Sequence, residues 1–162
     1  MIFVTVGTHD APFDRLLQAI DSLELDEELI VQHGPSSILP SRAHCVDYLA
    51  FDDLVDHVRR ARIVVAHAGV GTVLVVLASQ KRPVVVPRLR SFREHVDDHQ
   101  LDFARRVRDA GLVQLVEDPT RLGEILRSSV DAPPATGQQT GLADDLRAYL
   151  VSQLAPEGAA AL

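Results

Sequence analysis

Two short stretches of this chain carry residue types that bind anions and sugars. The first is His67-Ala68-Gly69-Val70-Gly71-Thr72, set between the apolar runs Ile63-Val64-Val65-Ala66 and Val73 to Ala78. Strand, glycine loop and helix in that order aim main-chain N–H groups and the positive end of a helix at an anion, most often a phosphate. Gly69 and Gly71 let the backbone approach a ligand closely, Thr72 offers a hydroxyl at the helix start, and His67 offers a ring N–H. The second stretch is Arg88 followed by Glu94-His95-Val96-Asp97-Asp98-His99-Gln100. Guanidinium groups at Arg88, Arg90 and Arg93 suit a diphosphate or a carboxylate. Together the two loops suggest a site for a phosphorylated, sugar-like ligand; a structural glycine turn beside solvated arginines is the plainer alternative.

Other chemistries fit less well. In Gly69-Val70-Gly71-Thr72-Val73-Leu74 the third glycine of a dinucleotide fingerprint is replaced by Leu74. The motif also follows the fourth strand, and no acid ends the strand after it, so NAD is not expected. His95 and His99 are four apart, with Glu94 and Asp98 beside them, and His9 and Asp10 could reach in from another loop. A metal-dependent hydrolase is therefore a secondary reading, but no further ligand cluster is evident and no metal is expected. Asp97 and Asp98 also suit the start of a helix electrostatically, whatever the function. No serine sits on a strand-to-helix elbow, which removes a Ser-His-Asp arrangement.

Elements able to position these loops alternate along the chain. Strands are predicted at Ile2 to Val6, Leu29 to His33, His44 to Tyr48, Ile63 to Ala66, Pro83 to Val86 and Leu112 to Val116. Helices are predicted at Pro12 to Leu23, Asp52 to Arg60, His99 to Ala110 and Pro119 to Leu126, with Gly111 as a C-terminal stop and Asp118 as an N-cap. The pattern predicts an α/β domain, a Rossmann-like doubly wound parallel sheet. In such a sheet ligands collect beyond the carboxyl ends of the strands where strand order reverses, and Gly7-Thr8-His9-Asp10, His67 to Thr72 and Arg88 to Gln100 all end strands. Residues 131–141 lose the periodicity and read as a linker between a domain over 1–130 and a C-terminal amphipathic helix and tail over 142–162. Leu142, Leu146, Tyr149, Leu150 and Leu154 give that helix an apolar face, to be covered by the sheet or by a partner.

Composition narrows the classes further. At 162 residues with a formal charge of −7, the chain lacks the basic face that general nucleic-acid binding needs. The single cysteine, Cys45, cannot pair within the chain and reads as a buried structural thiol. The opening Met1 to Gly7 reads as a strand and not a signal peptide, and no apolar run approaches membrane-spanning length. A cytoplasmic protein is expected, peripheral at the membrane only through a partner.

The chain resembles the C-terminal, donor-binding half of family 28 glycosyltransferases, in the stand-alone small-subunit form of the dolichol-linked UDP-GlcNAc transferase and of bacterial exopolysaccharide glycosyltransferases. The resemblance runs from Met1 to about Leu126. It rests on Phe3-Val4-Thr5-Val6-Gly7-Thr8 with Phe13-Asp14, on His67-Ala68-Gly69-x-Gly71-Thr72, and on Pro87-Arg88 with Glu94-His95-x-x-Asp98-His99-Gln100. It implies a GT-B C-terminal half-fold holding a UDP-sugar as substrate, with no cofactor. By the same resemblance Gly7, Thr8, His67, Gly69, Val70, Gly71 and Thr72 hold the diphosphate and His99 and Gln100 contact the donor sugar. Arg88, Glu94, His95 and Asp98 are further candidate contacts. Val75 stands where larger relatives carry a glutamate for the ribose, Arg93 where glycine is common, and Asp97 where asparagine is common. The acceptor-binding half is missing, which implies a membrane-anchored partner subunit that presents a lipid-linked acceptor and supplies the general base. A stand-alone nucleotide-sugar epimerase or hydrolase, using His9, Asp10, Glu94 or His95, and a non-catalytic nucleotide-binding module are the alternatives.

Overall fold

The computed structural model describes residues 1–128. The expected linker, the expected C-terminal helix and the last two residues of the expected 1–130 domain lie outside the described residues. Six strands, β1 (Ile2–Thr5), β2 (Leu29–Gln32), β3 (His44–Val46), β4 (Ile63–His67), β5 (Val84–Val86) and β6 (Gln114–Leu115), form one parallel sheet. Their order is β3-β2-β1-β4-β5-β6, so the chain builds outward from β1 in one direction and returns beside it to build the other. Strand order therefore reverses between β1 and β4, and the fold is the doubly wound α/β sheet the sequence pattern predicts. Register keeps the strand ends level at this point: Thr5 lies opposite both Gln32 and Ala66, and His67 opposite Val86.

Period-two alternation sends each strand's side chains to two different cores. Ile2, Val4, Val65, Val84 and Val86 face α1 (Asp14–Asp21) and α5 (Leu122–Ser128), packing with Phe13, Leu16, Leu17, Ile20, Leu122 and Leu126. On the other face Phe3, Val64 and Ala66 meet Val58 of α2 (Phe51–Arg60) and Val76 of α3 (Val70–Ala78). Further along that face Val85 packs with Phe103, Ala104 and Val107 of α4 (His99–Asp109). Both faces being covered explains why the strands are almost wholly apolar.

The differences from the predicted elements have local causes. The first helix begins at Asp14, two residues later than Pro12, because the Phe13 N–H is taken by Ser36 Oγ at 2.7 Å and the Pro12 carbonyl accepts from Arg88. The predicted Pro119 helix starts as a 3-10 turn, Pro119–Arg121, with Asp118 capping it by accepting the Thr120 N–H at 3.0 Å. A second 3-10 turn, Arg90–Phe92, has no counterpart among the predicted elements; it ends on Arg93 at φ 59°, the left-handed conformation that suits the glycine common at this position in the family it resembles. Gly111 takes the predicted stop position at φ 76°. Cys45 is a partly buried free thiol, and burial raises its pKa.

Candidate functional site

Three loops leave the carboxyl edge of the sheet around the β1–β4 reversal. The first turns at Gly7, whose φ of 77° is open to glycine. Gln32, at the end of β2 and 3% exposed, holds this turn: its Oε1 accepts the Gly7 N–H at 3.2 Å and its Nε2 donates to the Gly7 carbonyl at 3.0 Å. Gln32 also accepts the Thr5 hydroxyl at 2.6 Å and donates to the Asp47 carbonyl at 2.9 Å. The amide side chain thus does for Gly7 what a neighbouring strand would do, two residues beyond the end of β1. Sequence reasoning singles out neither Thr5 nor Gln32; the available signal is a polar residue closing each of two otherwise apolar strands.

The second loop opens with His67, the last residue of β4. Its imidazole is wedged between two backbones: a Cβ added to Gly7 would lie 2.3 Å from Cε1, and one added to Gly69 would lie 2.1 Å from Nε2. Burial lowers the His67 pKa to about 4, with the charge of Arg88 adding to the effect and the Thr5 main chain opposing it. The ring is therefore neutral at neutral pH, and its Nδ1 is buried without a hydrogen-bond partner. After Gly69 the chain enters α3, whose internal ladder begins with Val73 N–H donating to the Gly69 carbonyl at 3.0 Å. The N–H groups of Val70, Gly71 and Thr72 precede it and have no acceptor within the helix. Among the described residues no side chain caps this terminus, and no acidic residue sits in its first turn. Gly71, unlike Gly7 and Gly69, faces open space: a Cβ there would meet nothing within 4 Å.

These loops wall a cleft of about 240 Å³ lined by Thr5, Gly7, Thr8, Gln32, Leu49, Leu54, His67, Gly69, Gly71 and Thr72. Six of the seven residues expected at a diphosphate line it, with Val70 between two of them. Leu49 and Leu54, at the start of α2, supply an apolar wall that sequence reasoning missed.

The third loop divides into an inward and an outward part. Arg88, expected as a ligand contact, is instead fully buried. Its Nη1 donates to the carbonyls of Ala11 at 2.9 Å, Pro12 at 3.2 Å and Glu94 at 3.3 Å, and its Nη2 to that of Val6 at 3.0 Å, over the Phe13 ring at 4.6 Å. Burial lowers its pKa to about 10, so it remains a cation. Glu94, also expected as a contact, is 4% exposed and holds Arg15 by a bidentate pair, with both N···O distances 2.9 Å, while accepting the Leu89 N–H at 3.0 Å. Charged groups this deep are held by main-chain and ionic partners. Gln100 is 5% exposed, and its Oε1 accepts the Arg88 N–H at 3.2 Å, which leaves its amide N–H groups for a ligand. Asp98 caps the 3-10 turn through the Arg90 N–H at 2.8 Å. His95 and His99 lie outward and touch: their ring centroids are 4.5 Å apart, and the His9 ring from the first loop lies 4.7 Å from that of His95. Burial lowers the His95 pKa, with the other two imidazoles adding.

The model for the glycosyltransferase family 28 C-terminal domain matches residues 1–144. The human UDP-N-acetylglucosamine transferase subunit ALG13 is 31% identical over an alignment 123 residues long that covers 68% of this chain and 10% of that protein. The chain thus spans about a tenth of that relative's length. CalG4, the calicheamicin glycosyltransferase, matches with a TM-score of 0.58 at 17% identity, over 96% of this chain and 44% of CalG4. MurG of Acinetobacter baumannii matches with a TM-score of 0.52 at 20% identity, over 77% of this chain and 40% of MurG. At these identities the two structures establish a shared fold.

Two outcomes follow from the His67 wedge. Gly69→Ala should cost about 2 kcal/mol or more in urea unfolding, since overpacking a tight contact costs that much. In a His67→Ala background the same change should cost about 1 kcal/mol, what remains being the preference of a helix N-cap for glycine over alanine. Additive penalties would sink the wedge. Because the folded chain holds His67 at about 4 against 6.5 when unfolded, the unfolded chain binds the extra proton between those values. Stability contributed above pH 6.5 is then lost as pH falls toward 4, and melting temperatures across that window should fall less steeply for His67→Ala.

Proposed function

Because the chain belongs to the glycosyltransferase family 28 C-terminal domain family, we propose that it is the donor-binding subunit of a UDP-sugar-dependent glycosyltransferase. The observation that carries this reading is the free N-terminus of α3, uncapped and opening on a cleft where Gly71 leaves room for a group to touch the main chain. The donor's diphosphate would sit there, on the N–H groups of Val70, Gly71 and Thr72 and beside the Thr8 and Thr72 hydroxyls, with the base against Leu49 and Leu54. Helix N–H groups aimed at the departing UDP stabilise the charge that develops as the glycosidic bond breaks, so transfer calls for no metal or other cofactor. His67 does not need to touch phosphate: as a neutral spacer it fixes the two glycine loops at the distance the diphosphate needs. His99 and the Gln100 amide would meet the sugar hydroxyls.

The general base is proposed to come from a second, membrane-attached subunit on the cytoplasmic side that holds a lipid-linked acceptor. Among the described residues the cleft lining contains no carboxylate, and His67, at a pKa of about 4, is too weak a base near neutral pH. The stand-alone epimerase or hydrolase is disfavoured by its own candidates. Glu94 is locked to Arg15, and His9 Nδ1 accepts the Ala11 N–H at 3.0 Å. The human relative is by name a subunit, which supports a divided enzyme. Among the described residues no helix is long and apolar enough to cross a membrane, so attachment would come through the partner.

Gly71→Asp separates fold from function. A carboxylate in the first turn of a helix leaves stability unchanged or raises it, but it fills the phosphate position with like charge. UDP should raise the wild-type melting temperature, NAD should not, and the variant should lose at least roughly tenfold in UDP affinity, about 1.4 kcal/mol. Unaltered UDP binding in Gly71→Asp would move the diphosphate elsewhere. In transfer assays with UDP-sugars, turnover should require the membrane-attached product of a neighbouring gene, and robust turnover by this chain alone would overturn the divided enzyme.

A further inference from the structure

Beside the cleft, and absent from its lining, the third loop carries a cluster with a different chemistry. His95, Asp97 and His99, at alternate positions where the loop runs into α4, each bring one ligand atom within 4.8 Å of the other two. His95 Nδ1 lies 3.2 Å from Asp97 Oδ1 yet makes no hydrogen bond, and it is buried. His99 Nδ1 is hydrogen-bonded to the same oxygen, a bond that a metal ion would replace. Two ligands of a tetrahedral ion with bonds of about 2.0–2.1 Å are about 3.3 Å apart, which is the His95–Asp97 spacing.

We propose that His95, Asp97 and His99 bind a divalent transition metal ion of the zinc class, with water in the fourth position. Two imidazole nitrogens and one carboxylate suit zinc, whereas magnesium and calcium demand an all-oxygen set. Part of the support a metal site needs is already in place. Asp97 Oδ1 accepts the His99 N–H at 3.2 Å, which orients the carboxylate. The His9 ring packs on His95 at 4.7 Å and is itself held by the Ala11 N–H on its Nδ1, so His9 braces a ligand without being one. The site has an entry path, because the His95 side chain is 11% exposed while those of Asp97 and His99 are 56% and 45% exposed. The ion takes no part in the transfer step. A metal on His99 would withdraw that ring from the donor sugar, a consequence that, unlike metal binding itself, rests on the sugar-contact reading above.

Calorimetric titration of the full chain with zinc chloride near neutral pH should show one ion per chain. Cobalt(II) in its place should give the visible absorption band of a low-coordinate nitrogen and oxygen site. His99→Ala and Asp97→Asn, both at exposed side chains, should each weaken zinc by roughly tenfold or more. His44→Ala, an exposed histidine on β3, should leave zinc binding unchanged. No saturable binding, or equal binding in His99→Ala and Asp97→Asn, would overturn the site. With zinc bound, affinity for UDP should hold and that for the UDP-sugar should fall. Equal affinities there would overturn the sugar role of His99 and leave the metal site standing.

Discussion

One neutral ring sets the spacing on which the rest of the site depends. The His67 imidazole occupies the gap between the β1 loop and the β4 loop, touching the main chain at Gly7 on one side and Gly69 on the other. Because both neighbours lack a Cβ, the two backbones stand one ring's thickness apart at the point where strand order reverses. Gln32 then locks the first of them by bonding both halves of the Gly7 peptide turn. The glycines of a loop of this kind divide by purpose. Gly7 and Gly69 both leave room for the ring, Gly7 also holding a left-handed backbone, whereas of the three only Gly71 has open space over it. An ion-binding loop is thereby made rigid from behind, with its front face left unfilled.

A buried cation plays the corresponding part for the third loop. Arg88 lies 0% exposed and binds carbonyls from the β1 loop and from its own loop at once, while its ring neighbour Phe13 starts the first helix. Burying a guanidinium is costly unless its donors are met, and here four carbonyls meet Nη1 and Nη2 while Nε stays buried without a partner. Glu94 and Arg15 form a second tie, from the same loop to α1. The outward residues of the loop, from His95 to His99, therefore hang from a fixed root.

How much of this is legible in the sequence follows the range of the interactions. The sheet, its order of elements and the glycine loop depend on period and on neighbours in the chain, and residues such as Ile63 to Ala66 or Asp118 announce them locally. The imidazole wedge has no such local sign, because it joins His67 to Gly7 across sixty residues of chain. Arg88 reads as a ligand group for the same reason: its type suits an anion, and only folding reveals the carbonyls of Val6, Ala11 and Pro12 around it. Gln32 escapes notice because a single polar residue at a strand end carries no period. In the outer loop the spacing of His95 and His99 is visible, but the convergence of Asp97 between them depends on the turn at Arg93, whose left-handed backbone an arginine does not advertise.

The sheet's two margins govern how this chain can meet another. Among the described residues β3 has three residues and β6 two, and these are the outermost strands. Margins this short offer too few free main-chain groups to template an added strand. Sheet continuation, a common route by which open edges stick to one another, is therefore disfavoured at both margins of the described residues, which leaves side chains on the loops and helix faces as the surfaces where association can be specific.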